Sequence, residues 1–196
     1  MRVTSGTTLV SSATLTIQNG GVLNNAGTVT LTGNLNNLNG SVSNLGTGTI
    51  NMAGTAAQQI NGQNTIQNLT INNAAGINLN AGNTVNGVLT LTSGRLTLGA
   101  NNLFLGTAAT IAGAPSATAM VVATGTGELR KSFSAAGSFS FPVGDNTGTA
   151  EYSPVTLTFN SGTFGVNNYA GVNLTDAQYP GTGTSYLTRY WTVSSS

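Results

Sequence analysis

This sequence predicts an all-β chain, with a right-handed parallel β-helix over residues 1–112 and a β-sandwich-like region over residues 118–196. Three observations carry that expectation. Aliphatic residues recur about every seven positions through the first region, the rhythm of a repeat whose units cannot bury an apolar face alone. Within a unit they alternate with Thr or Asn, which turns one side inward and the other toward solvent. Gly and Asn separate the units, and these are residues that close tight turns.

Taken in order, the units of the first region centre on Leu15, Val22, Val29/Leu31, Leu35, Val42, Ile50, Ile60, Leu69/Ile71, Ile77/Leu79, Val85, Leu89/Leu91, Leu96/Leu98, Leu103/Leu105 and Ile111. The repeat is degenerate: GVLNN at 21–25 returns as GNLNN at 33–37 and, weakened, as GSVSN at 40–44. Three such units joined by turns make a coil of about 20 residues, and coils stacked roughly 4.8 Å apart exchange backbone hydrogen bonds from one coil to the next. About five coils are expected. Leu31, Leu69, Ile71, Leu89, Leu91, Leu96 and Leu98 are expected to point inward as aliphatic ladders. The pairs Asn24-Asn25, Asn36-Asn37, Asn72-Asn73 and Asn101-Asn102 suit the corners, where an amide can bond to the copy above and below. An antiparallel sandwich of short hairpins has the same alternation and is the competing architecture; the long persistence of the rhythm favours the helix.

Composition changes at AGAPSAT, residues 112–118. All four prolines lie at or beyond this segment, and Phe104 is the only aromatic residue before it, so larger side chains become available to fill a core. The runs at 121–133, 137–144, 153–161, 164–175 and 186–195 are alternating or β-rich and bounded by Gly, Pro, Asn and Asp. Pro142 and Pro154 near strand ends point to edges or bulges.

Charge is scarce: charged residues make up 5% of the chain against a usual value of about 25%. Between Val3 and Gly127 the only charged side chain is Arg95, and the chain has no histidine and no cysteine. Most of the protein therefore lacks the groups used for proton transfer, metal ligation or nucleophilic attack, and no enzyme activity and no cofactor are expected. A lyase or hydrolase on a β-helix would need paired carboxylates or a metal with a base, and residues 3–127 contain no carboxylate. Five scattered basic residues make no phosphate-binding patch, so nucleic acid is not an expected partner. The longest apolar run, Ala119 to Ala123, is far below the roughly 20 residues of a membrane-spanning helix, and no membrane insertion is expected. The first twenty residues have no continuous apolar stretch of signal-peptide type, so a secretion signal is expected to have been removed or to lie outside this sequence.

The succession AQQINGQNTIQNLTINN (57–73), TVNGVLTLTSGRLTLGANNLFLG (84–106), GELRKSF (127–133), FSFPVGD (139–145), SPVTLTF (153–159) and LTRYWTV (187–193) resembles the secreted adhesin-like β-repeat surface proteins of Bacteroidetes-type bacteria, often exported by the type IX route. The resemblance covers about 50–196 and rests mainly on the order of the blocks. It implies a secreted protein at the cell surface or in the extracellular matrix, and it carries no site residues across.

Candidate sites follow. Asp145 and Glu151 in DNTGTAE could offer oxygen ligands to Ca²⁺, but the loop lacks dense acidic spacing and reads as a polar turn, so no metal is expected. Arg95 reads as a solvated corner residue. Tyr186 and Tyr190 could stack on sugars, with Trp191 on the opposite side of its strand from Tyr190; aromatic residues in such places are more often core. Unpaired strand edges at the start of the stack make Thr4, Thr8, Leu9, Val10, Thr14 and Thr16 the expected assembly contact. The expected function is a non-catalytic extracellular structural or adhesive protein, a subunit or segment of a surface fibre or matrix filament. Its partners would be further copies in head-to-tail association, or surface glycans. The alternative is an ice- or carbohydrate-binding module using the Thr-x-Thr units at Thr14/Thr16, Thr28/Thr30/Thr32 and Thr90/Thr92 as a hydroxyl array.

Overall fold

The computed structural model describes residues 1–166, 168–184 and 186–196, and all regular structure among them is β. The chain winds through about seven turns of a parallel β-solenoid. Turn one comprises β1 (Arg2–Val3), β2 (Thr8–Ser11) and β3 (Leu15–Ile17); turn two, β4 (Asn24–Asn25), β5 (Thr28–Leu31) and β6 (Leu35–Asn37). Turn three follows with β7 (Ser43–Asn44), β8 (Thr49–Met52) and β9 (Gln58–Asn61), and turn four with β10 (Asn64–Ile66), β11 (Asn68–Asn72) and β12 (Ile77–Leu79). β13 (Asn83–Val85), β14 (Val88–Ser93) and β15 (Leu96–Thr97) form turn five; β16 (Leu103–Leu105), β17 (Thr110–Gly113) and β18 (Val121–Val122) form turn six. The last turn holds β19 (Leu129–Ser132), an excursion containing β20 (Gly137–Phe141), and β21 (Val143–Asp145). β22 (Glu151–Tyr152), β23 (Val155–Phe159), β24 (Tyr169–Thr175) and β25 (Tyr190–Ser195) complete the chain.

Strands three apart in the chain stack on one another, in three long sheets and in the separate two-stranded sheet of β1 and β4. The first sheet stacks β2, β5, β8, β11, β14 and β17; the second stacks β3, β6, β9, β12, β15, β18 and β21 with β22; the third stacks β7, β10, β13, β16 and β19 with β24 and β25. Register keeps like on like. Leu9, Val29, Ile50, Leu69, Leu89 and Ile111 form one ladder in the first sheet, and Leu31, Met52, Ile71 and Leu91 form another. All seven residues expected to face inward are fully buried.

The stack does not stop at residues 112–118, where the sequence suggested that a second region begins. β18 pairs in parallel with β15 and β21 with β18, while β19 pairs in parallel with β16. The continuation supplies β18 and the whole of the last turn, and about seven turns are present where about five were expected. A single apolar core runs from Val3 to Val172. AGAPSAT closes β17 and begins the corner to β18, so its proline and small residues mark a turn within the stack.

The change in composition marks the end of the stack. β24 runs antiparallel to β19, and β25 antiparallel to β24. β20 and β23 form a separate antiparallel pair, with β20 falling in chain order between β19 of the third sheet and β21 of the second. Here rings replace aliphatic ladders: Phe133 meets Phe159 edge-on at 4.9 Å, and Phe139 meets Phe141 at 5.0 Å.

Corner asparagines work inward. Asn25, Asn37 and Asn73 are buried. The amide of Asn25 donates to the Thr49 carbonyl at 3.0 Å, that of Asn37 to Gln63 at 2.7 Å, and that of Asn73 to Ala56 at 2.7 Å and to Gln58 Oε1 at 3.0 Å. They satisfy backbone groups that the coil would otherwise strand away from water. Asn73→Ala is expected to lower stability by about 1–3 kcal/mol, because Gln58 Oε1 and the Ala56 carbonyl each lose a donor; denaturant unfolding measures it. An amide ladder also decorates the outside of the second sheet: Asn61 donates to Asn36 at 2.6 Å and Asn80 to Asn61 at 2.7 Å.

Gly94 closes the corner after β14 at φ 87°, and a Cβ there would collide with the Asn73 carbonyl oxygen. Left-handed backbone and this close approach of two turns both exclude a side chain. Gly94→Ala is expected to reduce stability by more than about 1 kcal/mol, read as a fall in Tm.

Candidate functional site

Two places distinguish themselves on an otherwise repetitive, uncharged coil: the first turn and the cap at the opposite end. In the first turn β2 pairs only with β5 and β3 only with β6, so their other edges carry unpaired backbone groups among the described residues. Thr8, Leu9 and Val10 lie in β2 and Thr16 in β3; Thr14 immediately precedes β3, and Thr4 caps the turn between β1 and β2 by accepting from Thr7 Oγ1 at 2.6 Å. Val10 is 63% exposed, and Leu9 and Leu15 are only half-buried where their equivalents in the next turn are sealed. The expected assembly residues thus share the first turn, in or next to the two edge strands β2 and β3.

The aromatic candidates lie in the cap. Tyr186 is exposed, while Tyr190 meets Tyr179 edge-on at 5.1 Å. Tyr179 had no strand pattern around it to single it out in the sequence. Trp191 packs against the core and donates from Nε1 to the Ser153 carbonyl at 2.9 Å, which makes it a structural residue.

Charges gather nearby. Asp145 ends β21 and Glu151 begins β22, opposite each other across the antiparallel pair. Asp176 follows β24 and Arg189 precedes β25, and those strands are themselves paired at Thr175 and Tyr190. Carboxylate oxygens of Asp145, Glu151 and Asp176 all lie within 4.8 Å of one another. Arg189 enters the same place: Nη1 donates to Asp145 Oδ2 at 3.3 Å and to Ser153 Oγ at 2.7 Å, and Nη2 donates to Glu151 Oε2. Asp145 is completely buried, against the expectation of a polar turn, although residues 146–149 are exposed as such a turn would be. Sequence spacing could not reveal the third carboxylate, because only the pairing of β24 with β25 places Asp176 here.

Arg130, Arg95 and Lys131 have local partners. Arg130 pairs with Glu128 at 2.7 Å and lies over the rings of Phe104 and Tyr169. Arg95 is half-buried and donates to the Ala117 carbonyl at 3.0 Å, so it braces the corner after β17 and is less solvated than expected. Lys131 takes an inward ladder position above Leu105; its Nζ donates to the carbonyls of Gly106 and Thr107. Burial holds its pKa below the usual 10.5. A lysine whose proton is disfavoured by folding subtracts stability at neutral pH, and the loss is relieved as pH rises from the lowered pKa toward 10.5. The protein should therefore gain Tm between pH 7 and 10 relative to Lys131→Met.

Outward residues of the first sheet form two ranks: Thr8, Thr28 and Thr49 precede Asn68 in one, and Val10, Thr30, Asn51, Thr70, Thr90 and Ala112 make the other. Of the expected hydroxyl array, Thr28, Thr30, Thr90 and Thr92 lie in strands of this sheet, whereas Thr16 belongs to the second sheet. No helix is long and apolar enough to cross a membrane. Comparison with protein-family models, curated proteins and solved structures returned no match.

Proposed function

We propose that this chain is a non-catalytic structural or adhesive protein of the cell surface or extracellular matrix, a subunit or segment of a fibre. The observation that carries the reading is the open edge of β2 and β3, where apolar Leu9, Val10 and Leu15 accompany unpaired backbone groups. Such an edge is a template for another strand unless something blocks it. At the far end β25 is the outermost strand of the third sheet. A contact between the first turn of one copy and the cap of the next is heterologous and does not close on itself, so repetition generates a filament. The winding is right-handed in this reading, as parallel crossovers are, and the β20–β23 and β24–β25 pairs together make the sandwich-like part. The uncharged Thr and Asn faces suit a secreted protein that meets surface glycans.

Light scattering across a concentration series, with electron microscopy of the same samples, tests the assembly. End-to-end polymers are expected, and Leu9→Lys, which puts a charge on the open edge, should return them to monomers. A strictly monomeric wild-type protein at high concentration would remove the filament. A second reading, an ice- or carbohydrate-binding module, is favoured by the Thr ranks of the first sheet and the exposed Tyr186. Ice-recrystallisation and insoluble-polysaccharide pull-down assays distinguish it.

A further inference from the structure

We infer that the cap carries a site for a hard divalent cation of the calcium class, built from Asp145, Glu151 and Asp176. The chain has four carboxylate side chains in all, and three of them meet here, drawn from the ends of β21, β22 and β24. Like charges repel, so such a concentration in a chain this poor in charge is costly unless a cation offsets it. Arg189 offsets one of the three charges. The fourth acid, Glu128, is engaged with Arg130 and does not contribute. Three negative charges against one positive leave an excess equal to one divalent ion.

The second observation concerns a single oxygen. Asp145 is completely buried, and while its Oδ2 accepts from Arg189, its Oδ1 has no hydrogen-bond partner. A buried carboxylate oxygen left without a donor is a costly arrangement, and coordination of a cation is one way to satisfy it. Asp176 has no ion pair among the described residues and is exposed, which leaves its carboxylate available to complete the set. Of the six oxygens on the three carboxylates, Asp145 Oδ2 and Glu151 Oε2 accept from Arg189, which leaves four for the cation and the rest of the six to eight that calcium takes to water or backbone carbonyls. Histidine and cysteine are absent from the chain, so the donor set is all oxygen, which selects calcium or magnesium over zinc or copper.

Trp191 is the only tryptophan and touches Ser153 through its indole nitrogen, so it reports directly on this place. The experiment titrates Tb³⁺ into the chelator-treated full chain, with luminescence sensitised through Trp191 as the signal, then displaces it with Ca²⁺ or Mg²⁺. In parallel Tm is followed against each ion, with NaCl at matched ionic strength as the control. Saturable luminescence displaced by Ca²⁺, and a Tm that rises with Ca²⁺ more than with salt, are expected. Asp176→Asn, which makes no ion pair and removes one of the repelling charges, should keep or raise the Tm of the ion-free protein and weaken Tb³⁺ binding by about tenfold or more. Absence of sensitised luminescence, a Tm response no larger than that to NaCl, or an Asp176→Asn protein that binds as tightly as wild type would each overturn the site. Failure here leaves the assembly of the first turn untouched, because that is read by light scattering.

Discussion

Leu91→Asp is expected to abolish cooperative unfolding of the solenoid or to lower its stability by several kcal/mol, since a charge would be placed at a fully buried position with nothing to pair with. Leu91 stacks on Ile71 below and faces Gly113 above, as the last aliphatic member of its ladder. In a solenoid each turn is stabilised chiefly by its neighbours, so damage in turn five separates the turns on either side. Thermal unfolding by circular dichroism should show a large fall in Tm. Thr90→Asp, one residue earlier on the outward side, serves as the control and should be close to neutral, because its side chain remains in contact with water. Equal effects at the two positions would mean that the alternation does not divide inside from outside.

Arg189→Ala is expected to be the most damaging change in the cap, at about 3–5 kcal/mol, measured in the presence of chelator so that no cation substitutes for the guanidinium. The cost arises mainly at Asp145, which is wholly buried and would be left charged without a counter-charge. Glu151, 45% exposed on its side chain, contributes little because water screens it. Asp145→Asn in the Arg189→Ala background should restore a large part of the loss, whereas Glu151→Gln in that background should not. Arg189 also joins the start of β25 to β21 and β22, so its removal should loosen the outermost strand, visible as faster amide exchange in β25.

The pattern of inward and outward side chains was legible because it is local. Side chains alternate with a period of two along any strand, so Leu89 and Leu91 had to share a face whatever lay beside them. The corner asparagines were legible as corners, but their amides turn into the coil and bond to carbonyls of an adjacent turn, a partnership set by the register between turns. Lys131 illustrates the limit most clearly. Within LRKS its alternation places it with Leu129, an inward position that charge alone would argue against, and only the carbonyls of Gly106 and Thr107 from the turn before make burial tolerable.

By itself the sequence determined a stack of short strands with aliphatic ladders inside and Thr and Asn outside, because a repeat of about twenty residues with period-two alternation has few other ways to bury its apolar side. What the tertiary structure decided was where that stack ends and what the end contains. Residues 118–145 have larger side chains and read as a different region, yet their backbones find the waiting edges of β15 and β16 and extend the same sheets. Only after that does the chain reverse, and the reversal is what gathers Asp145, Glu151, Asp176 and Arg189. Their meeting depends on the register of antiparallel strands far apart in the chain, which no local spacing records.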